Sequence, residues 1–532
     1  MPVGRILFTL VSIVPLVAQT NMAVLGGIVQ DLQHQLVQGA RVEVVAVATG
    51  AVRGTLADTG GRFEVAGLAP GEYKLHVDKT GFAQFAAAVR LEVGQQMEVN
   101  PVLQLGSKTE TVDVAGITEV LKTTDASVGE VVETRSVHEL PLNGRMLIDL
   151  VLTVPGAHLS HGAQSGDLNP LYWRPGQRSA VSVGGSRPNG NYFLLDGVTN
   201  TDPTFNTTNL SPSPDVVQEF QVQTGSYSAE MGGAGGGQIN VITKSGTSGL
   251  HGTAYSYLRN NLFDARSFEE LAGDSHLVQN QFGAAVGGPL FGKKTFFFTN
   301  YESFRQTQNM TMIDTVPGME EMGGDFSNAG VAIFDPNGSH ANANYDPSRP
   351  ISPANSQIVR APFPGNIMPA TRISPVASTM LNNYVPIPNA MGDMGMNMTM
   401  MGQPVVFGPG TDSSNYMDVR AMRHTDNQGT LRLDRILARG DSVFARYSIG
   451  NENGFTPQNL PGFGAFHDNR SQNAGASWNR IVSPSIVNTA SVALSRLSMD
   501  RSSENNSSHN DIVSQLGIQG IGFGGPNAYG AP

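Results

Sequence analysis

The sequence predicts a mainly β chain: an N-terminal β-sandwich, an α+β middle segment, and part of a transmembrane antiparallel β-barrel. Three observations lead there. Charged residues make up 14% of the 532, against roughly 25% in an ordinary soluble chain, while glycine is in excess at 62. Hydrophobic residues are 39% and the mean hydropathy is −0.15. No apolar run reaches the roughly 18 residues a spanning helix needs, so only a barrel crosses a membrane with this composition. Short alternating stretches bounded by Gly, Pro and Asn recur along the chain, which is the pattern of half-buried strands. The 33 basic against 44 acidic residues leave a formal charge of −11, which argues against nucleic acid as a partner. With no Cys, a disulfide framework, thiolate chemistry and Cys-ligated zinc are excluded.

The N-terminus reads as an export signal. Arg5 precedes an almost wholly apolar run from Ile6 to Ala18, followed by polar Gln19, Thr20 and Asn21, the tripartite plan of a secretory signal peptide, assigned to 1–20. An exported, Cys-free chain rich in Gly and Asn fits a bacterial envelope.

The sandwich is expected over 24–105. Val42, Val44 and Ala46 share one face, as do Phe63 with Val65 and Tyr73 with Leu75 and Val77. Thr59-Gly60-Gly61 and Ala69-Pro70-Gly71 supply turns between them. The order Gly26-Gly27-Ile28-Val29, Gly39-Ala40-Arg41-Val42, Gly67-Leu68-Ala69-Pro70-Gly71-Glu72-Tyr73 and Lys79-Thr80-Gly81-Phe82 resembles the carboxypeptidase regulatory-like domain. Peptidase activity is not implied, because His34 and His76 are the segment's two histidines and neither begins a His-x-x-Glu zinc motif.

A linker over 106–118 holds Thr109, Glu110, Thr111, Val112, Asp113 and Val114, a short β-prone stretch suited to adding as an edge strand to a partner's sheet. Over 119–249 follow Glu139-Leu140-Pro141-Leu142-Asn143-Gly144-Arg145, Leu152-Thr153-Val154-Pro155-Gly156, Gly184-Gly185-Ser186-Arg187-Pro188-Asn189, Phe193-Leu194-Leu195-Asp196-Gly197-Val198 and Val217-Gln218-Glu219-Phe220-Gln221-Val222. Gly235-Gly236-Gly237-Gln238-Ile239-Asn240-Val241-Ile242-Thr243-Lys244-Ser245-Gly246 closes the segment. These runs resemble the α+β plug domain of TonB-dependent outer-membrane receptors of the Oar-like type, which carry a regulatory-like domain in front. The resemblance implies that Thr109 to Val114 is the TonB box and that Leu194, Asp196 and Gly197 mark the plug's hairpin signature. It also implies energised uptake through a plugged barrel driven by the inner-membrane TonB complex, with no catalytic residue and no cofactor. From the residues alone, Asp196-Gly197 is a hairpin turn needing φ > 0, and Gly232 to Gly237 permits close backbone approach or a flexible bend. A phosphate loop fails on spacing, since Lys244 follows Thr243 and not Gly.

From 250 to 532 the alternation is that of barrel strands facing outer-membrane lipid. Phe282, Ala284 and Val286 oppose Gln281, Gly283 and Ala285. Val443, Ala445, Tyr447 and Ile449 oppose Ser442, Arg446 and Ser448, with Phe444 breaking the polar side. Ala490, Val492 and Leu494 oppose Thr489, Ser491 and Ser495. Phe296, Phe297, Phe298 and Tyr301 fit an interfacial aromatic girdle, and the stretch 314–422, rich in Pro, Asn, Gly and Met, fits a long extracellular loop. With that stretch set aside, and allowing about ten residues per strand and as many per connection, the segment holds eight or nine strands. That is fewer than the twenty-two the resemblance implies, so the chain is expected to be a fragment that stops mid-barrel.

Other chemistry is thinly supported. Met391, Met394, Met396, Met398, Met400 and Met401 offer thioethers to soft Cu(I), but without accompanying His or acidic ligands a flexible contact loop is the better reading. His158 and His161 have no further metal ligands nearby, and Asp335-Pro336-Asn337-Gly338 reads as a turn. The expected function is import of an oligosaccharide, a peptide or a metal chelate, and not catalysis. The alternative is an outer-membrane adhesion or surface-structure protein without active transport.

Overall fold

The computed structural model describes residues 22–106, 111–114, 128–140, 142–159, 181–203, 206–227, 232–233, 235–265, 276–389, 398–400, 403–405, 415–437, 441–483, 486–504 and 512–518. The expected export signal over 1–20, Thr109, Glu110, His161 and the tail beyond Ile518 lie outside them.

The first domain is built from β1 (Ala23–Ile28), β2 (Gln30–Asp31), β3 (Arg41–Ala46), β4 (Val52–Leu56), β5 (Arg62–Leu68), β6 (Gly71–Asp78), β7 (Gln84–Leu91), β8 (Gln96–Glu98) and β9 (Val102–Leu103). One sheet runs β5-β1-β8. The other runs β7-β6-β3-β4, and β10 (Thr111–Val114) joins it beyond β7. Their facing side chains make the core predicted by the two-residue period: Leu25, Phe63 and Val65 from the first sheet meet Val42, Val44, Tyr73, Leu75 and Val77 from the second. Gly27 is needed for this closure, because a Cβ there would lie 1.7 Å from the Val99 carbonyl oxygen.

The second domain contains β11 (Val128–Glu133), α1 (Thr134–Glu139), β12 (Ala157–Leu159), β13 (Val181–Val183), β14 (Tyr192–Leu195), β15 (Val198–Thr199), β16 (Val217–Gly225) and β17 (Gln238–Thr243). Its main sheet runs β11-β16-β17-β14-β15, while β12 and β13 pair separately. Helix α1 is short because Leu140, which ends it in extended backbone, precedes Pro141, and the residue before proline is steered away from helix. Leu147, Leu150 and Val151, on a 3-10 turn, cover Phe220, Val222 and Ile239 of the sheet. His158 lies in β12, paired with Ser182. Close backbone approach is real at Gly236 and Gly237, where a Cβ would meet Ser186 Oγ at 2.5 Å and Val183 Cγ1 at 2.7 Å.

The third region holds β18 (His251–Asn260), β19 (Leu277–Phe291), β20 (Thr295–Asp314), α2 (Met319–Met322), β21 (Phe334–Ala341), β22 (Ile358–Pro362), α3 (Pro375–Tyr384), β23 (Met398–Met400), β24 (Gln403–Val405), β25 (Tyr416–Ile436), β26 (Ser442–Thr456), β27 (Ala465–Ser483), β28 (Ile486–Ser503) and α4 (Ile512–Gln515). Seven of these form one antiparallel sheet in the order β18-β19-β20-β25-β26-β27-β28. Among the described residues the expected eight or nine strands become seven because most are longer than assumed: β20 has 20 residues, β25 has 21 and β27 has 19. At about 3.3 Å per residue such strands run well past an apolar band about 25 Å tall.

The alternation falls as predicted, and its sense is that of a membrane barrel. On one side sit buried Gln281, Arg446, Ser448, Glu452, Asn469, Asn473 and Asn479, while Leu431, Leu433, Tyr447, Trp478, Val492 and Leu494 are exposed on the other side. Polar residues inside and apolar ones outside invert the arrangement of a soluble sheet.

Two expectations need correction. The girdle is split: Phe296 (1% exposed) and Phe298 (2%) point inward, with Phe298 packing on Val216 and Ala285, whereas Tyr301 (50%) is on the outer side. Neighbouring residues of a strand point to opposite faces, so three consecutive phenylalanines cannot share one. The long loop ends at 415 and not 422, since β25 begins at Tyr416, paired with Asp314 of β20. Residues 416–422 lack apolar alternation yet form strand because β20 offers a ladder partner over their whole length. The insertion between them has structure of its own, including the β21–β22 hairpin and α3. Asp335 to Gly338, read from sequence as a turn, lie instead within β21, at a bulge where the register with β22 shifts between Phe334 and Ser339; Asp335 accepts from Asn337 N at 2.8 Å and pairs with Arg372 Nη2 at 2.6 Å. Met398 and Met400 lie in β23, and Met391, Met394, Met396 and Met401 lie outside the described residues.

The short connections β19 to β20, β25 to β26 and β27 to β28 fall at the end where the chain enters the barrel from β17. Short turns mark the periplasmic end, and there the sandwich touches the barrel, with Ser248 N donating to Ala48 O at 2.9 Å.

Candidate functional site

The second domain sits against the polar face of the seven-stranded sheet, where a set of polar residues holds it. Asp196 and Gly197 both have positive φ (53° and 74°), so Leu194-Leu195-Asp196-Gly197-Val198 makes a type I′ turn, with Leu195 opposite Val198. The turn pushes Asp196 toward the barrel wall. Its carboxylate accepts from Thr243 N (2.8 Å) and Thr243 Oγ1 (2.8 Å) within the plug, and from Arg432 Nη1 (3.1 Å) and Arg446 Nε (2.7 Å) of the wall. Arg432 and Arg446 stand directly opposite each other on β25 and β26, where like charges repel. Asp196 and Asp434 offset that repulsion, the latter 2.9 Å from Arg432 Nη2.

Burial alone would push the Asp196 carboxyl up, but the two guanidinium groups and the Thr243 hydrogen bonds hold it below the usual carboxylate range. It is therefore charged at any physiological pH. Phe444, the residue that broke the polar side of β26, has a place in this cluster: the Arg432 guanidinium lies 4.6 Å from its ring centroid. Arg446 also donates to Asn473 Oδ1 (2.6 Å) and Ser448 Oγ (2.9 Å).

A second cluster joins the second domain to β18 and β20. Arg145, itself at φ 56°, pairs with Asp215, donates to Tyr257 OH at 3.1 Å, and sits over the Tyr255 and Tyr257 rings of β18. Glu302 of β20 accepts from Tyr255 OH (2.6 Å) and from plug Ser213 Oγ (2.9 Å). Lys244 Nζ approaches His138 Nε2 at 2.9 Å; burial first, then Lys244, hold His138 below its usual range, so the neutral imidazole accepts the bond.

The sandwich meets the plug through a third set. Glu219 of β16 is buried at the domain boundary and its Oε2 accepts from Val93 N at 2.9 Å. Loss of hydration pushes its carboxyl up to about 7, against the opposing pull of the Val93 hydrogen bond. Beside it Arg90 of β7 pairs with Glu133 of β11 at 3.1 Å. The strand Thr111–Val114 lies parallel to β7.

Of the residues singled out by sequence, Leu194, Asp196 and Gly197 thus fall at the plug–barrel contact, Thr111 to Val114 form a sheet edge some way from it, and Thr109 and Glu110 lie outside the described residues. Arg432, Arg446, Arg145, Glu302, Thr243 and Glu219 were not singled out for a site. The available signal was Arg446 on the polar side of the alternating run 442–449, where it is the single charged residue, since an arginine inside a barrel needs a partner. Among the described residues no group of three or more His, Asp or Glu is placed to hold a metal ion. The clusters pair acids with bases across a boundary, which is the chemistry of a fastening.

Residues 242–532 match the outer membrane beta barrel domain family, more than half of the chain, and the protein belongs to that family. It is therefore a protein of the outer membrane of a Gram-negative bacterium. Residues 24–104 match the carboxypeptidase regulatory-like domain, as their motifs suggested. The chain is 27% identical over 272 residues to the TonB-dependent transporter Oar of Myxococcus xanthus, a match covering 49% of this chain and 24% of that protein. The matched part thus spans about a quarter of that relative's length. Among solved structures, the outer membrane transporter YddB of Escherichia coli aligns over 69% of this chain and 38% of its own, at 10% identity and TM-score 0.40.

Proposed function

We propose that this protein acts in TonB-dependent import across the outer membrane, with residues 119–249 as the plug of the barrel and Thr109 to Val114 as the TonB box. The observation that carries the reading is the nature of the plug–barrel boundary. Among the described residues the buried apolar cluster that bridges it is small, Val216 with Ala285 and Phe298, whereas the Asp196, Arg432 and Arg446 cluster and the Arg145, Asp215 and Glu302 cluster tie the two sides through charged groups. An apolar core cannot be opened in a wet lumen without a large hydration penalty. A polar fastening can, because water and a charged ligand can replace its partners. The transporter name of the Oar relative agrees with this reading.

The transported ligand belongs to one of three classes: oligosaccharide, peptide or metal chelate. A deletion strain grown on single carbon, nitrogen and metal sources tests the proposal. Failure on one source, reproduced by depleting TonB, is the expected result. Unimpaired growth on all sources together with lost cell or surface attachment would overturn import in favour of adhesion.

A further inference from the structure

The strand Thr111–Val114 does not hang free between the two domains. It pairs in parallel with β7, Thr111 beside Gln84, Val112 beside Phe85, Asp113 beside Ala86 and Val114 beside Ala87. In the order β10-β7-β6-β3-β4 it is the outermost strand. Only one row of its backbone N–H and C=O groups can face β7, and among the described residues no strand covers the other row. A bare row of this kind is a template for one more strand.

We propose that the sandwich presents Thr111 to Val114 of the TonB box as a pre-ordered edge strand, and that the periplasmic domain of TonB adds a strand to the open edge of β10 without removing β10 from β7. The inference rests on reading Thr109 to Val114 as the box. Addition keeps the existing ladder and adds a second one. Stripping β10 away would break the first ladder and bare the edge of β7, whose Phe85, Ala87 and Val89 belong to the sandwich core. Ordering is also already accomplished in the sheet, so the partner strand meets a fixed target and not a tether with backbone freedom still to lose.

The same geometry gives the pull two routes into the plug. One runs along the chain from β10 into β11. The other runs through β7, which is tied to the plug by Arg90 to Glu133 and, just beyond its end, by Val93 N to Glu219. A sandwich attached at both points is a lever arm between TonB and the plug sheet.

The absence of native cysteine makes the test clean. In purified outer membranes carrying the full chain, Gln84→Cys with Thr111→Cys should oxidise to a disulfide, whereas Gln84→Cys with Val114→Cys, three positions out of register, should not. The TonB periplasmic domain should bind the oxidised in-register protein with a Kd within about twofold of wild type, under half a kcal/mol on the affinity scale. Binding lost on oxidation and restored by reduction would overturn strand addition and leave the box reading intact. No binding by the wild-type chain would overturn the box reading itself, and failure of the in-register pair to oxidise would overturn the parked strand.

Discussion

Asp196 shows how much one side chain can carry. It is a non-glycine at positive φ in a tight turn, and it is the shared counter-ion of two arginines that face each other across adjacent strands. Replacing Asp196 with Asn keeps the shape and two hydrogen bonds but leaves Arg432 and Arg446 without their plug partner. Breaking a buried pair on one side costs about 3–5 kcal/mol, so the Asp196→Asn plug should unfold at clearly lower temperature, measured by calorimetry in detergent. An unchanged unfolding temperature would mean that water compensates the arginines. Glu219 carries the opposite lesson, a carboxyl with no ion-pair partner among the described residues. Its value in the folded protein, about 7, lies above the ordinary 4.5. The folded state therefore binds the extra proton, and the contribution to docking is best at low pH and is lost as pH rises between those values. Hydrogen exchange at the Val93 amide should be slower at pH 5.5 than at pH 8 after correction for intrinsic rates. In Glu219→Gln, which keeps an acceptor and cannot ionise, that difference should disappear.

At the scale of elements, what was legible in the sequence was whatever is decided locally. The type I′ turn at Asp196-Gly197 follows from two adjacent residues, and the facing rows of the sandwich follow from a two-residue period. The start of β25 was not legible, because residues 416–422 become strand through a partner about a hundred positions earlier. The partners of Asp196 were hidden for the same reason, lying 236 and 250 residues away. The aromatic run of β20 misled because composition says nothing of which face a residue takes; period does. Element β10 offers a prediction that depends on backbone alone. Val112→Pro removes an N–H that either β7 or an added strand would use, and it fixes φ near −65°. The sandwich core lies elsewhere, so the variant should reach the outer membrane in normal amount yet bind the TonB periplasmic domain at least tenfold more weakly, a loss of about 1.4 kcal/mol or more. Uptake and binding at wild-type levels would show that this strand is not the box.

For the whole molecule the question is whether import requires the plug to move against the wall or only to loosen within itself. The hairpin of β14 and β15 lies against β27: a Cβ built on Gly475 would be 3.2 Å from Val198 Cγ2, and Asn473 Nδ2 donates to Thr199 O at 2.9 Å. That proximity suits a disulfide, which needs Cβ atoms about 3.5–4.5 Å apart. Val198→Cys with Gly475→Cys would fasten the plug to the barrel at a point next to the Asp196 cluster while leaving β10, the sandwich and the second cluster at Arg145 untouched. If TonB draws the plug sheet as a body away from the wall, the oxidised double variant should sit in the outer membrane at wild-type level and bind the TonB domain normally. It should nevertheless fail on the nutrient source that the deletion strain cannot use, and a membrane-permeant reductant should restore growth within the same culture. Each single variant separates the effect of the staple from that of the added side chain, which at Gly475 must fit beside Val198. Growth of the fully oxidised double variant at the wild-type rate would place the moving part elsewhere in the plug, in the segment between β11 and β13 that the Arg145 and Asp215 pair secures.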